Sequence, residues 1–252
     1  MAVLGLVSGA NAMFVAVPGG IEEHFDGTTQ DTATWTASTV SHTVSFTQSG
    51  EMEITATGSA GGDVAGRGQY ETNDPLVSPG DLVRVEITPN SAFPARGGGN
   101  NGHALILSAE GLGFDHDGGS FIWLRWVDGG YFNGTGDIAA RARVGGNVAE
   151  AQVVSTDHPL DTTYIYEIAR SQDGKSATFS VYDTGLNVIG TPQSLDFSAA
   201  GFSPIWGDLR IVLNEFHRSS TFDNVFISET PEPTAVALLA LGGALVSWRR
   251  RK

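Results

Sequence analysis

The chain contains no cysteine, which excludes a disulfide framework and any thiolate metal site. A metal staple, if there is one, must be held by oxygen ligands. Charge is also scarce, at 17% of 252 residues, and basic charge scarcest, with 14 Lys and Arg against 28 Asp and Glu. Four of those basic residues are the terminal Arg249, Arg250, Arg251 and Lys252, and no acidic residue follows Glu232. The remainder therefore carries 10 basic against 28 acidic residues, a net charge of -18. So acidic a body offers no electrostatic footprint for nucleic acid or an anionic membrane surface. It stays soluble outside the cell and attracts divalent cations. Catalytic strings are missing too: there is no Gly-x-Ser-x-Gly, no His-Glu-x-x-His and no phosphate loop. The sequence reads as that of a non-enzymatic protein.

What is abundant is glycine, at 33 residues, together with period-2 alternation, the mark of half-buried strands. Val83, Val85 and Ile87 alternate with Arg84, Glu86 and Thr88; Phe179 and Val181 with Thr178 and Ser180; Leu209, Ile211 and Leu213 with Arg210 and Asn214. Further strands are expected over 42–47, 51–57, 103–109, 120–127, 137–144, 148–154, 163–171 and 219–228, about eleven in all, with no convincing amphipathic helix between them. Ser49-Gly50, Gly145-Gly146 and Asp173-Gly174 supply hairpin turns. The fold class is all-β, as antiparallel meanders packed into a two-sheet sandwich.

The ends differ from the body. The apolar stretch Ala2 to Val7 followed by Ala10-Asn11-Ala12 reads as a signal peptide over 1–12 that lacks its basic n-region, hence as truncated; the alternative is a plain N-terminal strand. At the other end Pro231-Glu232-Pro233 precedes the apolar run Thr234 to Trp248, which stops at the terminal basic cluster. Those 15 residues would span about 22 Å as a helix, short of the ~30 Å hydrocarbon core. Such a short transmembrane helix is a transient stop, oriented with the arginines in the cytoplasm. Pro-Glu-Pro, short helix and terminal arginines in this order resemble the PEP-CTERM sorting domain, over about 230–252. The resemblance implies an exosortase-type membrane transpeptidase as partner, recognising Pro231, Glu232, Pro233 and Arg249, Arg250, Arg251, in a bacterium that makes exopolysaccharide. It places the protein at the cell envelope, its outer surface or the extracellular matrix, with transient inner-membrane anchoring.

Within 13–229, Phe25-Asp26-Gly27 and Trp35, Tyr164-x-Tyr166-x-Ile168 with its hairpin, and Phe222-Asp223-Asn224-Val225 resemble concanavalin A-like jelly-roll domains of the laminin-G and carbohydrate-binding kind. A non-catalytic sandwich that contacts polysaccharide is the function this implies, against a purely structural envelope protein with protein contacts only, or a glycan-cleaving enzyme. The Glu-x-Asp-x-Glu signature of the related glucanases is absent; Glu51 and Glu53 share a strand face but read as solvated.

Three candidate sites follow. In Phe121-Ile122-Trp123-Leu124-Arg125-Trp126-Val127, one parity is core, leaving Trp123 and Arg125 on the other face. There they either stack a sugar ring and grip hydroxyls or a uronate carboxylate, or belong to a strand covered on both faces. Arg141 and Arg143 share the outer parity of the next strand. A two-residue turn at Gly145-Gly146 sets Arg141 across from Glu150 and Arg143 across from Val148, so an ion pair competes with ligand binding at Arg141. For calcium, the loop Gly113–Gly119 offers Asp115 and Asp117, too few alone; related jelly-roll modules imply instead a structural Ca2+ using Glu22 or Glu23 and Asp26 with Asp223. The histidines His24, His42, His103, His116, His158 and His217 have no metal-ligand spacing and read as surface or turn residues.

Deleting Pro231 to Lys252 is expected to release the body into the medium, read by fractionation and immunoblot. Cytoplasmic retention would indict the N-terminal segment instead, and unchanged surface retention would overturn the sorting reading.

Overall fold

A computed structural model describes residues 22–41, 43–57, 67–91, 102–111, 119–127, 132 and 136–229. The expected signal peptide, the Asp115-His116-Asp117 loop, His42 and the sorting segment from 230 on lie outside them. Among the described residues no helix is long and apolar enough to cross a membrane.

In chain order the strands are β1 (Glu22–Glu23), β2 (Trp35–Ser41), β3 (Thr43–Gln48), β4 (Met52–Thr57), β5 (Arg67–Thr72), β6 (Asp81–Pro89), β7 (Gly102–Ser108) and β8 (Ser120–Val127). They continue with β9 (Asp137–Val144), β10 (Asn147–Val154), β11 (Tyr164–Arg170), β12 (Ser176–Asp183), β13 (Val188–Asp196), β14 (Arg210–Phe216) and β15 (Ser219–Glu229). A 3-10 helix covers Ala200–Ile205. One sheet runs β13-β12-β11-β6-β15-β4-β3 with β1 added beside β15; the other, seven-stranded, runs β10-β9-β8-β7-β14-β5-β2. Every pairing among them is antiparallel.

The sandwich follows from alternation. Val83, Val85 and Ile87 of β6 meet Ile211 and Leu213 of β14 in one core, with Leu105, Leu124, Trp126, Tyr166 and Phe179. Three hairpins form at the expected turns, and Gly145-Gly146 sets the expected register: Glu150 opposite Arg141, Val148 opposite Arg143. Asp173-Gly174 closes β11 on β12, with Gly174 in the left-handed region at φ 67°, where glycine pays no Cβ penalty.

Four strands escape the sequence pattern: β1, β2, β5 and β13. β1 has two residues. β13 is an exposed edge strand carrying Gly190 and Pro192, where proline needs no ladder partner. β5 presents Gly68 to the core, and a Cβ there would meet Ile54 Cγ2 at 2.5 Å and Val44 Cγ1 at 2.6 Å. Neighbouring side chains thus fill what an apolar residue would fill, and the alternation that marks a strand is lost.

The core also holds polar groups that correct a sequence expectation. His103 and His158 are buried, not surface residues. His158 donates from Nε2 to the Thr162 carbonyl at 2.7 Å, while its Nδ1 lies 3.2 Å from the Tyr166 hydroxyl. His103 Nε2 lies 2.8 Å from that same hydroxyl, and its Nδ1 3.3 Å from Ser220 Oγ. With these partners the rings can be buried neutral; desolvation lowers His158 to about 3 and holds His103 well below the usual imidazole range. Beside them Glu215, wholly buried, is pushed well above the carboxylate range by desolvation. His217, by contrast, sits in the β14–β15 turn with a left-handed φ of 56°.

Arg170, at the end of β11, is 2% exposed and ties the sandwich to its loops. Its guanidinium donates to the carbonyls of Val77 at 2.8 Å, Ile205 at 3.0 Å and Trp206 at 3.2 Å. Burial lowers it to about 10, well above neutrality, so it stays charged. Arg170→Met takes the guanidinium from the Ile205 and Trp206 carbonyls and leaves that of Val77 only the Leu209 N–H, and is expected to cost on the order of 3 kcal/mol, roughly 10 °C in Tm by calorimetry. His158→Gln tests the buried imidazole. Because the folded pKa lies below the ordinary value, the ring's contribution is full above about pH 6.5 and fades as pH falls toward 3. The Tm gap between wild type and variant should therefore shrink from pH 7 to pH 4; a constant gap would contradict it.

Candidate functional site

The outer face of the seven-stranded sheet is read from its registers. One row crosses Gln152, Ala139, Arg125, Ala104, Asn214, Gln69 and Ser38; the next crosses Glu150, Arg141, Trp123, Ile106, Val212, Glu71 and Thr36. Trp123 and Arg125 do point away from the main core, as their parity requires. They are nevertheless 1% and 4% exposed, so the open platform is not found: this strand is covered on both faces. Trp123 packs with Phe121, Ala104, Ile106 and Val212 in a second, smaller apolar cluster.

Cations and aromatic rings alternate across this face. The Arg141 guanidinium lies 5.6 Å from the Trp123 ring centre and that of Arg125 5.2 Å from the same ring. Arg125 also lies 4.1 Å from the Phe216 ring, which Arg67 approaches at 5.4 Å. A planar, weakly hydrated guanidinium between two ring faces is stabilised by the ring quadrupoles where water is excluded. Arg141 pairs with Glu150 at 3.2 Å, the expected cross-strand ion pair, and Arg143 donates from Nε to the Gly145 carbonyl at 3.1 Å. With Arg210, five of the ten basic residues ahead of the terminal cluster lie on this one face. Across the sheet the Ser38 hydroxyl is 2.6 Å from Glu71 and 3.2 Å from Gln69. Asn214, between them and Arg125, is fully buried, yet among the described residues neither its Oδ1 nor its Nδ2 has a partner. Sequence reasoning missed Glu71 and Gln69 because β5 was not recognised as a strand; Asn214, on the recognised β14, read only as a polar outer position.

The opposite sheet carries the acidic residues singled out for calcium. They are not brought together. Glu23 pairs with Val225, a core residue, and its carboxylate accepts the Phe25 N–H at 2.7 Å. Asp223 pairs with Glu86 and faces outward, since its neighbour Phe222 faces the core; Asp26 is exposed. The β-bulge between Asp223 and Phe226 reverses the parity of the strand between those two pairings. Asp223 instead meets Glu51 and Glu86 around a pocket of about 60 Å3 with Thr88, Thr163 and Thr221. Desolvation first, then repulsion from Glu86 and Glu51, raises its carboxyl to about 6. The space suits one or two waters and not a sugar ring. Glu53 is taken up elsewhere, accepting from Ser219 Oγ at 2.7 Å and Asn90 Nδ2 at 3.1 Å. Among the described residues no three His, Asp or Glu side chains are arranged to hold a metal ion.

A larger pocket, of about 390 Å3, opens on the same sheet beside the bulge, between β6, β11, β15 and the β12–β13 turn. Its walls include Ile165, Leu186 and Phe226 with Arg84, Glu86 and Asn224.

Comparison with known proteins addresses the C-terminal end and the body of the chain separately. Residues 229–252 match the PEP-CTERM protein-sorting motif. No curated protein is similar to the chain in sequence. Among solved structures, the chain is similar to one of the endo-acting O-glycanases that members of the human gut microbiota express to initiate mucin breakdown, at 14% identity and TM-score 0.57, covering 83% of this chain and 98% of that one. It is similar to the Emp46p carbohydrate recognition domain in its potassium-bound form, at 12% identity and TM-score 0.55, over 83% and 96%. It is also similar to an immunostimulatory antigen and pseudo β-1,3-glucanase of Mycobacterium tuberculosis, at 16% identity and TM-score 0.52, over 84% and 99%. At these identities the likeness establishes the fold. The body is thus an all-β sandwich of jelly-roll type, and residues 229–252 carry a PEP-CTERM sorting motif, which marks the chain for export.

Proposed function

We propose that the body is a non-catalytic module that holds acidic polysaccharide at the cell envelope or in the matrix, through the outer face of the seven-stranded sheet. The observation that carries this reading is the gathering of Arg67, Arg125, Arg141, Arg143 and Arg210 on that face of an otherwise strongly acidic protein. Acidic proteins repel polyanions unless their cations are concentrated in one place. Arg141 and Arg143, at the accessible margin, are placed to meet uronate carboxylates, and the buried Arg125 between its rings supports them from beneath. The sorting motif agrees with this role, since processing by an exosortase delivers the body to the surface where such a polymer is found. The lectin-like and glycanase neighbours lend the fold a setting, not a ligand.

A glycan-cleaving activity draws support only from the carboxylates around Asp223, which surround too little space for a sugar. A purely structural role would leave the arginine face without a ligand.

The reading is tested by affinity electrophoresis of the full chain through gels containing alginate or, as a neutral control, dextran. Alginate is expected to retard the protein and dextran not to. Joint replacement Arg141→Ala and Arg143→Ala should weaken retardation about tenfold, with a shallower salt dependence. Equal migration in both gels would overturn the reading in favour of protein contacts only.

A further inference from the structure

The pocket of about 390 Å3 on the opposite sheet has a size typical of small-ligand sites, ~300–1,000 Å3, and the fold gives it no evident structural role. Two of the residues that shape it are held in conformations that folding alone does not favour. Asn224 has φ 49° and Leu186 φ 63°, both left-handed. Asn224 occupies that region at the β15 bulge, and for a leucine it is a strained choice. Leu186 is also 42% exposed, a large apolar side chain turned to solvent at the pocket's edge. Its turn is fixed: the Asp183 carboxylate accepts the N–H groups of Gly185 and Asn187, both at 2.9 Å. Strain and apolar exposure maintained by a rigid turn mark a place built for contact.

The lining defines what would fit. Ile165 and Phe226 give an apolar floor on two strands of the outer face. At its margin the Glu86 carboxylate lines the pocket as an acceptor. Asn224 accepts from His24 Nδ1 at 2.6 Å through its Oδ1, which orients the amide and leaves Nδ2 as a donor. Arg84 is fixed on the same wall by Glu167, with the Tyr182 ring 5.4 Å from its guanidinium. Acceptor and donor therefore stand together beside an apolar surface, with one cation and one anion on the wall. Phosphate or a metal ion would find the wrong balance of charge. A pyranose fits, because each hydroxyl both donates and accepts while the ring's C–H face rests on apolar side chains.

We infer that this pocket is a second carbohydrate site, for a single neutral hexose unit, on the face of the sandwich opposite the arginines. It stands independently of the acidic-polysaccharide reading. If both hold, one molecule joins two glycan strands.

The test is a methyl-labelled NMR titration of the full chain with the methyl glycosides of glucose, galactose, mannose and rhamnose. Ile165, Leu186 and Val225 report on the pocket, and Ile106 and Val212 on the other sheet. At least one glycoside is expected to shift the first three methyl groups saturably and leave the last two in place. Glu86→Gln should weaken that binding about tenfold. Leu186→Gly, in an exposed turn whose φ suits glycine, keeps the fold and should weaken it as well. No saturable shift at Ile165, Leu186 and Val225 with any of the four overturns the inference, as does binding indifferent to both variants. Shifts confined to Ile106 and Val212 also overturn it, while leaving a glycan role for the arginine face intact.

Discussion

Burial of the central strands of the seven-stranded sheet on both faces is the constraint to which the rest of the structure answers. Strands β7 and β8 are buried along almost their whole length, so side chains that would ordinarily meet water must be satisfied by neighbours. Arg125 obtains this from two aromatic rings, Glu71 and Gln69 from the Ser38 hydroxyl. Asn214 does not obtain it. An unpartnered buried amide costs on the order of 1–3 kcal/mol. The same need for internal partners explains the imidazole and phenol groups beneath the sheet, where His103, His158 and Tyr166 satisfy one another.

Those polar groups pull against each other as pH changes. His103 and His158 favour the neutral ring and so stabilise the fold toward higher pH. Glu215 and Asp223, raised above the carboxylate range, favour the protonated acid and stabilise it toward lower pH. Histidines and carboxyls thus act in opposite directions across the same interval, which moderates the response of the whole molecule to acid.

Much of this architecture is written in alternation. The period-2 pattern of β6, β12 and β14 identifies strands and inward faces, and Gly145-Gly146 is enough to set Arg141 against Glu150. Parity also puts Trp123 and Arg125 on the outer face, but parity is silent about whether that face is covered. β5 is illegible because its inward position is a glycine filled by Ile54 and Val44, and with it went Gln69 and Glu71. The bulge in β15 separates two members of the calcium set: one irregularity puts Glu23 and Asp223 on opposite sides of a sheet, and sequence spacing does not announce it. His103 and His158 look like surface residues until the fold supplies Tyr166 and the Thr162 carbonyl as partners.

The last strand before the sorting motif has a mechanical consequence. β15 is not an edge strand: β6 borders it on one side, while β4 covers its first half and β1 its second on the other. Tension drawn through residue 229 toward a membrane would run along the strand, across hydrogen bonds lying at right angles to the pull. Those bonds would carry the load together, not one after another as in a hairpin peeled from its end. A pull from that end would thus load a strand held by partners on both sides.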